Sequence, residues 1–182
     1  MTLLILLNGP PASGKSTAAR LWAERTPLTL CLDLDVLRAM LSGWRQATTE
    51  AGLLTRDLAA RVVHAQLIEG RDVIIPQFIG AAGVPFIDRL HAIADDAGAT
   101  FVEIALRIDA ASASRHFEAR AEAEGPQDRH GELDAPLTEV IRAHEVFLGT
   151  RADLIRIDSV DGDPAATARA LGEAVESLAL DG

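Results

Sequence analysis

Short runs of apolar residues alternate along the chain with longer segments in which apolar residues recur every three to four positions. The first run, Leu3–Leu7, is apolar at every position, which is typical of a strand buried on both faces of a sheet. Such runs predict strands at Leu3–Leu7, Leu28–Leu32, Val73–Ile75, Phe101–Ile108 and Leu154–Ile157. The periodic segments between them predict helices at Lys15–Glu24, Val36–Leu41, Glu50–Glu69, Pro85–Ala97, Ala110–Glu124, Leu137–Leu148 and from Pro164 to about Leu178.

This alternation of strands and helices favours a parallel sheet, because the segments between strands are long enough for crossover connections. No repeat, low-complexity segment or linker interrupts the pattern. The sequence therefore predicts a single doubly wound α/β domain over residues 1–182, with about five parallel strands and helices on both faces.

A glycine-rich segment follows the first predicted strand and leads into the first predicted helix. Residues 9–16 read G-P-P-A-S-G-K-S and match the pattern G-x-x-x-x-G-K-[ST] in full. The glycines let successive backbone N–H groups point into one concavity that binds phosphate oxygens, and the helix adds its positive N-terminal end. The Lys15 ammonium can reach the β- and γ-phosphates, and the Ser16 hydroxyl can ligate Mg²⁺. The predicted nucleotide-binding residues are Gly9, Pro10, Pro11, Ala12, Ser13, Gly14, Lys15, Ser16 and Thr17.

Two aspartates, Asp33 and Asp35, follow the second predicted strand. Because ligands of parallel sheets bind beyond the carboxyl ends of the strands, we expect both carboxylates near the phosphate loop. A hydroxyl that accepts a phosphoryl group needs a positioned base, so we predict Asp35 as the base and Asp33 as a contact to the substrate or to Mg²⁺ and its water. The alternative role of Asp35 is the N-cap of the helix Val36–Leu41, and the two roles are compatible.

Residues 9–17, together with the sequence Leu-Asp-Leu-Asp at residues 32–35, resemble the P-loop kinases of small substrates. These include chloramphenicol phosphotransferase, the shikimate, gluconate and adenylylsulfate kinases, the zeta toxins and the polynucleotide kinase domain. The resemblance covers most of the chain in the order of its elements and is most specific at the phosphate loop. It implies a fold like that of the nucleoside monophosphate kinases, with ATP and Mg²⁺ as ligands, a carboxylate beside the acceptor hydroxyl and a mobile lid that carries arginines.

The predicted lid covers approximately residues 115–135 and contains Arg115, Arg120 and Arg129. An arginine that closes over the phosphates can stabilise the charge of the group in transfer. By resemblance we predict Arg120 and Arg129 as catalytic residues alongside Lys15, with Arg115 next. The alternative is a solvated helix face, on which these arginines pair with neighbouring glutamates at helical spacing.

The end of the third predicted strand lacks the acid that many P-loop proteins place there for Mg²⁺. Gln77 stands there instead, and it can hydrogen-bond a substrate or a Mg²⁺ water without carrying charge. This departure weakens the case for a hydrolytic switch ATPase. We predict that Gln77 contacts the substrate and that Trp44 and Arg45 face the same acceptor pocket, with plain loop roles as the alternative.

Charge and cysteine content narrow the class of protein. The net charge of -10 counts against a broad nucleic-acid surface, which needs clustered Lys and Arg. The single cysteine, Cys31, excludes an internal disulfide and favours a reducing, cytoplasmic compartment, and its apolar strand favours a packing role. No apolar run approaches the roughly 18 residues of a membrane-spanning helix, and the apolar start lacks the basic flank of a signal peptide.

The sequence therefore predicts an ATP-dependent phosphotransferase that moves the γ-phosphate to a hydroxyl of a small molecule, such as an antibiotic, a sugar or another metabolite. The alternatives are a polynucleotide 5′-hydroxyl kinase, a toxin-like kinase of an activated sugar and a non-catalytic ATP-binding sensor.

Overall fold

The computed structural model describes residues 1–124 and 135–180. Within them, parallel strands form one sheet in the order β2-β3-β1-β4-β5, with β1 at Leu3–Asn8, β2 at Leu30–Cys31, β3 at Val73–Gln77, β4 at Thr100–Arg107 and β5 at Ile155–Asp158. The helices are α1 (Lys15–Ala23), α2 (Leu34–Ala39), α3 (Thr48–Ile68), α4 (Val84–Asp96), α5 (Ala110–Glu124), α6 (Leu137–Leu148) and α7 (Pro164–Leu180), and a 3₁₀ turn at Ala81–Gly83 precedes α4. The predicted α/β fold with a five-stranded parallel sheet is confirmed.

Every residue of the central strand β1 is buried, as the apolar run Leu3–Leu7 predicts. Its even-numbered residues, such as Leu6, pack in one core cluster with residues of α3, α4 and α6. Its odd-numbered residues, such as Ile5, pack in a second cluster with residues of α1 and α7, which include Trp22 and Leu171. Because successive side chains of a strand point to opposite faces, β1 contributes to both cores.

Differences from the prediction at β2 and α2 bear on the acceptor side. The second strand is reduced to Leu30 and Cys31, because Leu28 has a left-handed φ of 68° and lies exposed at the surface. The helix that follows begins at Leu34, two residues before the predicted start at Val36. Only Leu32 and Asp33 lie between β2 and α2, so Asp35 lies in the first turn of the helix and not at its boundary.

The third strand is longer than predicted and runs through Pro76 to Gln77. A proline inside a sheet removes a ladder hydrogen bond unless its nitrogen faces an open side. The carbonyl groups of Asp72 and Ile74 face β2, so the nitrogen of Pro76 faces the same side, beyond the point at which β2 ends. The proline is tolerated there, and Gln77 is carried to the carboxyl edge of the sheet next to Asn8.

The described residues include no helix long and apolar enough to cross a membrane.

Candidate active site at the carboxyl edge of the sheet

The phosphate loop leaves β1 at the carboxyl edge of the sheet and enters α1. Gly9 has no room for a side chain, since a Cβ there would lie 2.8 Å from Ser13 Oγ and 3.1 Å from the Leu106 carbonyl oxygen. Gly14 has a φ of 83°, which glycine adopts without steric cost. Ala12 has a φ of 64°, a conformation that costs a residue with a side chain about 1–2 kcal/mol. Backbone strain is therefore stored within the loop, as is common at ligand sites.

Ser16 and Asp33 join the loops that follow β1 and β2. The Ser16 hydroxyl donates a hydrogen bond to Asp33 Oδ2 at 3.0 Å. The other carboxylate oxygen, Oδ1, accepts the backbone N–H of Asp35 at 2.9 Å, so Asp33 is the N-cap of α2. The alternative role of Asp35 as this N-cap is wrong, because the helix starts earlier than predicted. A hydroxyl and a carboxylate that meet at the phosphate loop are oxygen ligands of the kind Mg²⁺ prefers, so these residues fit the ion.

A pocket of about 420 Å³ lies beside the phosphate loop, within the size range of small-ligand sites. The Lys15 ammonium donates to the Pro10 carbonyl at 3.4 Å, across the loop. The pocket is lined by Ala12, Gly14, Lys15, Ser16, Thr17, Asp33, Val36 and His116. Most of the residues predicted to bind nucleotide and metal therefore surround one cavity.

Asp35 begins a series of contacts that leads away from the phosphate loop along α2. Its carboxylate forms an ion pair with Arg38, with 2.9 Å between Oδ1 and Nη2. The Arg38 guanidinium lies 4.8 Å from the centre of the Trp44 ring, and the Arg45 guanidinium lies 4.6 Å from it. The structure thus places Trp44 and Arg45 next to Asp35 through Arg38. Cations over an aromatic face attract the electrons of the ring, which stabilises this arrangement.

Helix α5 contacts both the phosphate loop and the segment after β5. The His116 ring contacts the Ala12 carbonyl through Nδ1 at 3.2 Å and Asp161 Oδ1 through Nε2 at 2.7 Å. Arg115 donates to Asp161 Oδ2 at 2.6 Å and to Ser112 Oγ at 2.9 Å. The Arg115 guanidinium, followed by His116 and Ser112, lowers the pKa of the Asp161 carboxyl. Arg115 is therefore engaged with Asp161 in this structure and not with the phosphate loop.

The other predicted lid arginines are Arg120 and Arg129. Arg129 lies outside the described residues, as do residues 125–134 of the predicted lid. Arg120 belongs to α5. The catalytic roles of Arg120 and Arg129 therefore stay predictions.

Gln77 ends β3 beside the phosphate loop, where the expected acid is missing. Its Nε2 lies 3.5 Å from the Phe78 carbonyl, and its buried Oε1 has no hydrogen-bond partner among the described residues. Cys31 is half-buried, and burial, with the nearby Asp33 charge, raises the pKa of its thiol to about 11. A thiol with so high a pKa is a poor nucleophile at neutral pH, which agrees with a packing role.

A buried polar cluster lies behind the phosphate loop. The Asn8 amide donates to the Ile79 carbonyl and accepts from the Ile79 N–H, both at 3.0 Å. The His144 Nε2 lies 3.0 Å from the same Asn8 Oδ1. Asn8 is fully buried and His144 is 2% exposed. Burial first, and the Lys15 charge second, lower the pKa of His144 from 6.5 to about 4, so the ring is neutral at physiological pH.

We predict that this histidine makes the fold sensitive to acid. Its folded pKa lies below its unfolded value, so between pH 6.5 and 4 the unfolded chain binds a proton that the folded chain excludes. Between pH 7 and pH 5 the free energy of unfolding should fall by about 2 kcal/mol more in the wild type than in His144→Gln. Urea unfolding of both proteins at these two pH values measures the difference, and equal losses would contradict the prediction.

Several contacts of the site were not predicted from the sequence. Arg38 could have been found, because it stands three residues after Asp35 on a predicted helix. His116 and His144 gave no such signal, because their partners lie 45 or more residues away in sequence. For these two residues, only the folded arrangement of the elements shows the contact.

Comparisons with known proteins place this geometry in a family. The sequence model of a family described as "AAA domain" matches residues 4–140. Among curated proteins, no sequence matches this chain. A protein from Chloroflexus aurantiacus described as a candidate kinase is similar in structure, with 19% identity, 97% of each chain covered and a TM-score of 0.67.

Two further solved structures share the fold. Kti12 from Chaetomium thermophilum, in complex with ADP-AlF3, is 17% identical, with 95% of this chain and 97% of that chain covered and a TM-score of 0.60. A gluconokinase from Sinorhizobium meliloti 1021 is 16% identical, with 99% of this chain and 97% of that chain covered and a TM-score of 0.56. With a complete phosphate loop, a parallel five-stranded sheet and a family match over residues 4–140, the chain belongs to the AAA domain family and has the fold of the P-loop small-substrate kinases.

Proposed function

We propose that this protein is an ATP-dependent phosphotransferase that moves the γ-phosphate of ATP to a hydroxyl of a small-molecule acceptor. The observation that carries the proposal is the hydrogen bond between Ser16 and Asp33, with the backbone of Asp35 bound to the same carboxylate. The Asp33 side chain thereby joins the phosphate side of the site to the backbone of Asp35, the residue that we propose as the base. The kinase and gluconokinase descriptions of the structural neighbours are consistent with it.

The phosphate side consists of the loop amides, Lys15, Ser16 and Asp33. Loop N–H groups and the N-terminus of α1 bind the phosphate oxygens, and Lys15 neutralises charge on them. Ser16 and Asp33 would hold Mg²⁺, which when bound neutralises charge on the phosphate oxygens. Arginines from the predicted lid, Arg120 and Arg129, would add positive charge to the transferred group.

The acceptor side consists of Asp35 with Arg38, Trp44, Arg45 and Gln77. Asp35 accepts the proton of the acceptor hydroxyl, and the oxygen of that hydroxyl forms a bond to the γ-phosphorus. At the same time the bond between the γ-phosphorus and the bridging oxygen breaks, and ADP leaves with that oxygen. Arg38 holds the Asp35 carboxylate in one orientation through the 2.9 Å ion pair. Gln77, Trp44 and Arg45 would contact the remainder of the acceptor.

The deciding experiment incubates the purified protein with γ-labelled ATP, Mg²⁺ and a panel of small hydroxyl compounds and 5′-hydroxyl oligonucleotides. Label on one or more small molecules is the expected result. Label on oligonucleotides alone would assign a polynucleotide kinase instead. Tight ATP binding without label on any acceptor would assign a nucleotide sensor.

We predict that Asp33→Asn lowers the affinity of the site for Mg²⁺ while α2 stays capped. Asparagine caps helices about as well as aspartate but lacks the charge that a cation needs. The Mg²⁺ concentration for half-maximal binding of a fluorescent ATP analogue should rise at least about tenfold. The matched control is Asp57→Asn, which neutralises an exposed aspartate paired with Arg89 on the flanking helices. If both variants need the same Mg²⁺ concentration as the wild type, Asp33 does not serve the ion.

A further inference from the structure

The Asn8 side chain makes the hydrogen bonds that a neighbouring strand would make to the backbone after β3. Ile79 lies beyond the end of β3, so its N–H and carbonyl have no strand partner there. Asn8 binds both groups, donating to the carbonyl and accepting from the N–H at 3.0 Å each. Because the polarity of both Ile79 groups is fixed, the orientation of the Asn8 amide is fixed as well. Its Oδ1 is therefore the atom that faces His144.

This orientation determines which nitrogen of His144 carries the proton. Asn8 Oδ1 can only accept, so the His144 Nε2 that lies 3.0 Å from it must donate. The neutral ring then has an unprotonated Nδ1, which is buried and has no partner among the described residues. The polar contacts of this imidazole are therefore the hydrogen bond that it donates to Asn8 and an interaction with the Ile79 backbone, so both are directed at the segment that Asn8 binds.

The imidazole of His144 joins three parts of the molecule that serve different sides of the site. Asn8 is the last residue of β1, directly before the phosphate loop. Phe78, whose ring centre lies 5.1 Å from that of His144, follows Gln77 in the segment after β3. His144 itself belongs to α6, the helix that follows residues 125–134 in the chain. A donor at this position therefore fixes the segment after β3 relative to the phosphate loop.

We infer that His144 is a positioning residue for phosphoryl transfer, which acts through Asn8 and Ile79 to hold Gln77 and Phe78 against the phosphate loop. The inference rests on the proposed phosphotransferase function. It assigns to His144 a contribution to the rate of transfer and none to nucleotide affinity, because the ring touches the acceptor-side segment and β1 but not the pocket lining.

Three substitutions separate hydrogen bonding from packing at this position. His144→Gln places an amide donor near the position of Nε2, His144→Asn places one nearer that of Nδ1, and His144→Phe retains a ring without a donor. The first readout is hydrogen exchange of the Ile79 amide, measured by nuclear magnetic resonance, with the amide of Ile5 in β1 as the reference for global opening. The second is transfer of labelled phosphate in the acceptor panel, and the third is affinity for Mg²⁺-ADP.

If His144 acts by donation, the Ile79 amide should exchange about tenfold faster in the Asn and Phe variants than in the wild type, relative to Ile5. The Gln variant should stay close to the wild type, transfer should fall in the same order, and the affinity for Mg²⁺-ADP should not change. An order set by side-chain size, with Phe closest to the wild type, overturns the inference. So does unchanged transfer in all three variants. A wild-type protein that labels no acceptor overturns the proposed function instead, and the Ile79 exchange order then still tests the clamp itself.

Discussion

Replacement of Lys15 by methionine is expected to lower the rate of phosphoryl transfer by about 10²–10³-fold. Methionine keeps much of the length of the side chain but removes the charge that compensates the β- and γ-phosphates. The side chain is only half-buried, so the loss should not come from unfolding. Measurement of transfer and of thermal unfolding in the same preparations separates the two effects. The matched control is Arg71→Gln, which removes an exposed positive charge at the opposite, amino end of β3.

The sequence offers a second measurement of the same prediction, because Lys15 is the only lysine in the chain. An acylating ATP analogue therefore finds no other lysine side chain to modify, and an excess of ATP should protect Lys15. The Lys15 charge also contributes to the lowered pKa of His144, so that pKa should be higher in Lys15→Met than in the wild type. Full transfer activity in the variant would show that the loop amides alone bind the phosphates.

Replacement of Asp35 by asparagine is expected to lower the transfer rate by about 10²–10⁴-fold while nucleotide affinity stays within about twofold. Asparagine retains the shape of the side chain and an oxygen that Arg38 can bind, so the main loss is the capacity to take a proton. The assay uses an acceptor identified with the label panel and saturating ATP. Unchanged transfer in Asp35→Asn would remove Asp35 from the role of base.

The Arg38→Gln variant distinguishes the base itself from its orientation. If Arg38 only orients the carboxylate, its loss should reduce transfer by about tenfold and much less than the loss of Asp35. The double variant should then be no slower than Asp35→Asn alone, because an orienting residue has no effect once the oriented group is gone. Multiplicative losses in the double variant would show that Arg38 acts on the substrate directly.

The fold was largely predictable because its signals are local. An unbroken apolar run such as Leu3–Leu7 indicates a strand buried on both faces, and helices α5 and α6 have the predicted bounds. The phosphate loop was equally readable, since its spacing is dictated by the crowding at Gly9 and the left-handed backbone at Gly14.

The cap of α2 and the buried contacts of the site could not be predicted, because local sequence patterns do not determine them. Either aspartate of Asp33-Leu34-Asp35 could cap a helix, and only the folded chain shows that Asp33 does so. The buried cluster at Asn8 joins residues separated by as many as 136 positions, and no periodicity reports on such a pairing. Residues that line a site through distant contacts are therefore the ones that sequence patterns miss.

The two hydrogen bonds of Asp33 also have a consequence for the order in which the site assembles. Helix α2 has only six residues, so its cap contributes a large share of its local stability, and that cap is the same carboxylate that contacts Ser16. A ligand that shifts the Asp33 carboxylate towards the phosphate loop therefore also changes the stability of the first turn of α2, where Asp35 lies. The local melting of α2 is thus tied to the occupancy of the neighbouring loop. Without nucleotide, α2 should be the first helix of the site to fray. With nucleotide bound, α2 should be ordered before the acceptor binds.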